Sequence, residues 1–142
     1  MKLLKQLSLV AITLSLMTSL TAVKEDALVG RWKGKDKGDI GFLTLSADGF
    51  ATFEMDGQIM GGKSFDMRGV SAHMRYTVDA TTEPAATDFI IYEDETYNEL
   101  NRLKGIYEMN TPDELHLALT FVGELGRPGN FSTDNVMLYR VK

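Results

Sequence analysis

The stretch Ser71-Ala72-His73-Met74-Arg75-Tyr76-Thr77-Val78-Asp79-Ala80 decides the fold class. On an extended chain Ala72, Met74, Tyr76 and Val78 share one side, and His73, Arg75, Thr77 and Asp79 share the other. Successive side chains of a strand point to opposite faces, whereas a helix gathers positions three and four apart. The segment therefore reads as a strand with one apolar and one polar face. The same alternation returns further on, where Leu115, Leu117, Leu119 and Phe121 oppose His116, Ala118 and Thr120.

Working outward, the neighbouring runs are short and punctuated by turn residues. Ala47-Asp48-Gly49 asks for positive φ at glycine, and Asp56-Gly57 is a strong hairpin signal between Phe50–Met55 and Ile59–Phe65. Further runs are Gly30–Lys35, Gly41–Ser46, Asp88–Tyr92, Lys104–Met109 and Val136–Val141, with a turn at Asn110-Thr111-Pro112-Asp113. The acidic and polar stretch Glu93–Asn101 reads as a loop or short helical turn, and Gly123–Thr133 as a looped crossing. Beyond residue 26 no long stretch carries a helical period. The expectation is an all-β fold, an antiparallel up-and-down β-barrel of about eight strands, since closure removes exposed edges.

Residues 1–22 stand apart from this pattern. Lys2 and Lys5 precede the apolar Leu7–Leu20, and Thr21-Ala22 offers small residues before Lys24-Glu25-Asp26. That order is the one of a secretory signal peptide, and its apolar run is shorter than the roughly 20 residues that span a bilayer. The domains expected are a signal peptide over 1–22 and a barrel over 23–142, secreted or periplasmic, with no membrane span after processing. Loss of Lys2 and Lys5 takes the net charge from −5 to −7. Such a balance speaks against a nucleic-acid partner. The chain has no cysteine, which excludes disulfides, thiolate metal sites and cysteine nucleophiles.

Leu28-Val29-Gly30-Arg31-Trp32 carries the Gly-x-Trp that opens many lipocalins, and Leu138-Tyr139-Arg140 closes the chain. Between them lie Gly105-Ile106-Tyr107-Glu108, Asp113-Glu114-Leu115-His116-Leu117-Ala118 and Arg127-Pro128-Gly129-Asn130-Phe131. In order and spacing these segments resemble a lipocalin-like (calycin) domain family of uncharacterised bacterial exported proteins, frequent in planctomycetes. The resemblance implies a small lipocalin-like barrel whose first and last strands pair, with Trp32 and Arg140 as its structural closure. It supplies no reaction.

Read residue by residue, the chain offers no catalytic constellation. Trp32 reads as a plug among glycines in preference to a ligand-stacking wall. Arg31, Lys33, Lys35 and Lys37 read as a solvated face, diluted by Asp36 and Asp39, in preference to an anion patch. His73 and His116 each lie opposite the apolar side of a strand, where solvent exposure is expected, so no metal and no cofactor is expected. Glu93, Asp94, Glu95 and Glu99 lack the spacing of a calcium loop. No Gly-x-Ser-x-Gly turn is present. What remains is the barrel interior. Phe53, Met55, Met74, Tyr76, Val78, Leu117 and Leu119 are the candidate ligand-binding residues, with Tyr76 as polar handle and a small apolar or lipid-like molecule as partner. A barrel of eight strands is wide enough either to be packed solid or to hold one small ligand, and both readings stay open here. The alternative function is a cell-envelope interaction or structural protein with a solid barrel, meeting a protein or polysaccharide through its surface.

Export makes a direct prediction. Material from a native host should have an intact mass that begins near Val23; the full chain recovered in membranes with Met1 in place would overturn the signal-peptide reading.

Overall fold

A computed structural model describes residues 26–35, 40–121, 126–132 and 134–142. The signal segment 1–22, Lys37, Asp36 and Asp39 lie outside the described residues. The described chain forms β1 (Gly30–Gly34), β2 (Phe42–Leu45), β3 (Ala51–Met55), β4 (Gln58–Gly61) and β5 (Phe65–Met67). It continues with β6 (Val70–Asp79), β7 (Ala85–Glu93), β8 (Glu99–Thr111), β9 (Glu114–Thr120) and β10 (Asn135–Arg140). They make one antiparallel sheet in the order β4-β3-β2-β1-β10-β9-β8-β7-β6-β5. Every neighbour in that order except β1–β10 is also a neighbour in sequence, so the fold is an up-and-down meander whose first strand pairs with its last.

The sheet curls until its two ends nearly meet along β6. β5 covers the first part of the free edge of β6, through Phe65↔Ala72 and Met67↔Val70. Further along, the Met74 amide donates to the Gly62 carbonyl at 3.0 Å, and the Tyr76 amide donates to the Gly49 carbonyl at 3.1 Å. A bridge between Phe50 and Arg75 lies between these bonds. Unpaired strand edges are thus consumed without a continuous ladder, and the result is a nearly closed barrel.

This seam explains why the structure has ten strands and not about eight. Ile59–Phe65, expected as one returning strand, breaks at Gly61 and Gly62, which have φ of 109° and 82°. A side chain on Gly61 would run into the Ala51 carbonyl, so only glycine lets the chain leave β4 there and swing toward β6. The second correction concerns Glu93–Asn101. β7 extends to Glu93 and β8 begins at Glu99, leaving a tight turn in which the Tyr97 amide donates to the Glu93 carbonyl at 2.9 Å and the Glu93 amide to that of Asn98 at 2.9 Å.

The apolar strand faces converge on one core containing Trp32, Leu43, Phe53, Met74, Phe89, Leu103, Leu117, Leu119 and Leu138. Phe53 on β3 and Phe89 on β7 come from the two sides of the seam along β6, and their rings meet edge to face with centroids 4.8 Å apart. Trp32, Leu43, Ala51, Phe53, Ala72, Met74 and Leu138 are each 0% exposed, so none of them borders a space that admits water. The waist of the barrel is filled.

One end is locked. Trp32 pairs with Arg140 in the β1–β10 register, and the Arg140 guanidinium carbon lies 4.3 Å from the centroid of the Trp32 ring system. The indole N–H donates to the Leu28 carbonyl at 3.0 Å, which folds residues 26–29 under the barrel. Arg140 also donates to the carbonyls of Val29 at 2.8 Å, Ala27 at 2.9 Å and Pro112 at 3.0 Å. It thereby ties the chain start, the last strand and the β8–β9 turn together. Trp32→Ala should cost about 3–5 kcal/mol, the range for losing a large buried aromatic. Arg140→Ala should cost about 1–2 kcal/mol through the lost cation–π contact and hydrogen bonds. Urea unfolding followed by circular dichroism, needed because Trp32 is the only tryptophan, measures both.

Candidate functional site

Strand register sets the two barrel ends apart. Gly30 pairs with Leu45 and Leu45 with Ala51, which puts them at the Trp32–Arg140 end; Met55 and the end of β9 lie at the other. At that second end Met55, Met60, Phe65 and Met67 are only partly buried and pack on the rim of the core. Phe121, just past β9, is 40% exposed. Between the β3–β4 hairpin and the end of β9 lies an open cavity of about 400 Å³ lined by Met55, Asp56, Gln58 and Phe121. The lining is half apolar, Met55 and Phe121, and half polar, Asp56 and Gln58, and the unbranched thioether of Met55 is its most adaptable wall.

The residues expected to line an interior site therefore separate into two groups. Phe53, Met74, Leu117 and Leu119 sit in the filled waist, each no more than 2% exposed. Met55, Tyr76 and Val78 are half-buried, Met55 at the open mouth and the other two toward the locked end. There Tyr76 and Val78 border a recess of about 330 Å³ with Val29, Ala47 and Gly49. The Tyr76 hydroxyl donates to the Ser46 carbonyl at 2.9 Å. Phe121, expected inside with Leu115, Leu117 and Leu119, lies beyond the last β9 pair and turns outward.

The outer face of the barrel carries a polar layer that alternation alone did not show. His73, expected in solvent, is 6% exposed. Its Nδ1 lies 2.7 Å from Asp94 Oδ1, its ring stacks on Tyr92 at 5.5 Å, and Phe50 and Tyr97 close over it edge-on. Ser71 donates to the other Asp94 oxygen at 2.5 Å. The hydroxyl of Ser71 and then the imidazole of His73 hold the Asp94 carboxyl below the usual range. The neighbouring carboxylates are equally engaged: Glu93 accepts from Thr96, and Glu99 pairs with Arg102 at 2.7 Å. Among the described residues no group of three or more His, Cys, Asp or Glu is placed to hold a metal ion.

His116 plays the matching part on the other side. It contacts Glu108 at 3.0 Å and Asn135 at 3.1 Å and stacks on Phe131 at 4.4 Å, which holds the crossing segment against β8–β10. The same crossing is clamped by Arg127, whose Nη1 donates to Asp88 at 2.5 Å and to the Gly105 carbonyl at 2.8 Å. Arg102 takes the second Asp88 oxygen at 3.0 Å. Beneath this clamp runs an open groove of about 610 Å³ whose lining includes Asp79, Glu83, Pro84, Ala86, Ile106 and Arg127. Burial also pushes the Tyr107 hydroxyl up, with the Asp79 charge adding to the shift. Neither Asp88 nor Arg127 stood out in the sequence as a pair. The available signal was a lone carboxylate at the start of the apolar run Phe89-Ile90-Ile91.

No family model, no curated protein and no solved structure matches this chain.

The Asp88 clamp carries a pH dependence. Burial raises the Asp88 pKa, but the hydrogen bonds from Arg127 and then Arg102 outweigh it, and the net position is below the ordinary 3.8. A carboxylate with a lowered folded pKa supplies stability above its unfolded pKa, and that stability is lost as pH falls through the folded one. Asp88→Asn should therefore lower stability by about 1–3 kcal/mol at pH 7, the range for hydrogen bonds to charged groups. It should also flatten the loss of stability below about pH 4. Urea midpoints of both proteins across pH 2–7 read the difference.

Proposed function

We propose that this chain is an exported binding protein of lipocalin-like type that takes a small apolar or lipid-like molecule at the open mouth of its barrel and acts as a binder, not a catalyst. The observation that carries the reading is the asymmetry of the two ends. At one end Arg140 caps Trp32 and gathers carbonyls beside a smaller recess of about 330 Å³; at the other Met55 and Phe121 border an open cavity of about 400 Å³, and Met60, Phe65 and Met67 lie half-buried at the edge of the core. A soluble protein with no use for such a rim would gain by burying it, because each fully buried side chain of this kind is worth roughly 1.5–3 kcal/mol. The signal-like residues 1–22 support export, and the motifs Gly30-Arg31-Trp32 and Leu138-Tyr139-Arg140 support the likeness to lipocalins.

The filled waist favours a second reading. With Phe53 against Phe89, no ligand can lie along the barrel axis without displacing core rings. If the mouth is empty in use, the protein is a solid-barrelled envelope component that works through its surface on a protein or polysaccharide.

A thermal-shift screen of fatty acids, isoprenoids and aromatic metabolites separates the two. A mouth ligand present at one hundred times its dissociation constant should stabilise the fold by about 2.7 kcal/mol. Phe121→Lys, which places an ammonium in the lining at an exposed position, should abolish that shift while the unliganded melting temperature changes little. Silence from all three ligand classes would leave the surface reading in possession.

A further inference from the structure

The groove under Arg127 is a second site, independent of the mouth. Its floor is apolar: Ala86, Ile106, Pro84 and Pro128 contribute to the lining, and Ile106 is 2% exposed. Its rim bears charge of one sign in excess. Asp79 and Glu83 stand on the β6–β7 turn, and no lysine or arginine among the described residues lies within ion-pair distance of either. Arg127 faces them, and its charge also favours the ionised form of Asp79, but its Nη1 is committed to Asp88 and the Gly105 carbonyl. It is a wall of the groove, not an anion trap.

Asp79 is also held in place. Asp79 Oδ1 accepts from the Thr81 amide at 3.0 Å and the Thr81 hydroxyl at 2.5 Å, and Thr82 Oγ1 donates to the Pro84 carbonyl at 2.9 Å. The Thr81 hydroxyl and amide keep Asp79 ionised well into mildly acidic solution. Ligand pockets for small molecules have volumes of about 300–1,000 Å³ with an apolar lining and a few placed polar groups, and this groove has both properties.

We propose that this groove binds a small molecule carrying a primary ammonium group on an apolar body, the ammonium between Asp79 and Glu83 and the body on Ala86, Ile106 and the two prolines. The charge arrangement selects the sign, and the hydrophobic floor selects against bare inorganic cations, which gain nothing from it.

Three probes of one shape test this on the full chain: phenethylamine, 2-phenylethanol and 3-phenylpropanoate. Amide chemical-shift titration should show phenethylamine perturbing residues 77–86 and Ile106. The alcohol should bind about tenfold more weakly, as expected for losing two partly exposed charge contacts, and the carboxylate more weakly still. Glu83→Gln, a substitution at an exposed turn position, should weaken the amine severalfold, and Asp79→Asn with Glu83→Gln about tenfold. Phe121→Lys at the mouth should leave amine binding unchanged. Equal affinity for amine and alcohol, undiminished binding by the double variant, or perturbations centred on Met55–Gln58 would each overturn the proposal.

Discussion

The stacking of Arg140 on Trp32 is the contact on which the rest of the barrel depends. A meander of ten strands has two free edges, and only a pairing between its beginning and its end can convert a curled ribbon into a container. Here that pairing is β1 with β10, and it joins residues more than a hundred positions apart. Loop closure over such a distance is entropically costly, so the contact that secures it has to be strong and specific. A buried indole supplies apolar area, and a guanidinium with five fixed donors can stack on it while capping carbonyls of Ala27, Val29 and Pro112. Lysine in the same place would offer a point charge and no plane.

Once that end is locked, the remaining edges have to be managed elsewhere, and the protein does so with glycines. Gly62 and Gly49 offer their carbonyls to Met74 and Tyr76, so the seam along β6 is bonded although β4 and β5 do not pair with each other. The cost of this arrangement is that the β4–β5 region cannot complete a ladder at the mouth. Met60, Phe65 and Met67 collect there half-buried, next to Met55. The adaptable rim and the imperfect seam are thus consequences of one geometric choice.

How much of this was legible in the sequence depends on which face of the sheet is considered. The inner face was readable, because alternation in residues 71–80 and 115–121 reports burial directly, and the Asp56-Gly57 turn fixes a register. Trp32 and Arg140 were readable only as a resemblance, since nothing local says that residues so far apart will meet. The outer face was not readable. His73 is polar and sits on the polar side of its strand, yet it is covered by Phe50 from the chain before β3, Tyr92 from β7 and Tyr97 from the turn after β7. Ile106 and Ala118 are buried on that same outer side, where alternation assigns solvent. In a strand, period-two patterning describes one sheet face against water; when a second segment crosses the outside, as the stretch with Arg127 and Phe131 does, both faces become interior and the pattern loses its meaning. Gly61 and Gly62 misled for a different reason, because a glycine pair within an apolar run is equally compatible with a flat strand and with a break.

The filled waist bears on function more than the strand count does. Ring contact between Phe53 and Phe89 bridges the seam, and Met74, Leu103 and Leu117 share the same close-packed core, so the interior is rigid where a wide container would be soft. Rigidity in the middle is what allows the ends to differ. A locked end and a packed waist over-determine the positions of the strand tips, and a recognition surface built on tips so fixed loses less conformational entropy on binding than one built on free loops. The same reasoning applies to the groove outside β6–β8, where Asp88 holds Arg102 and Arg127 in one orientation and so keeps the crossing segment at a fixed height above Ala86 and Ile106. In both places the apolar surface is left open beside a framework that has no freedom to collapse onto it.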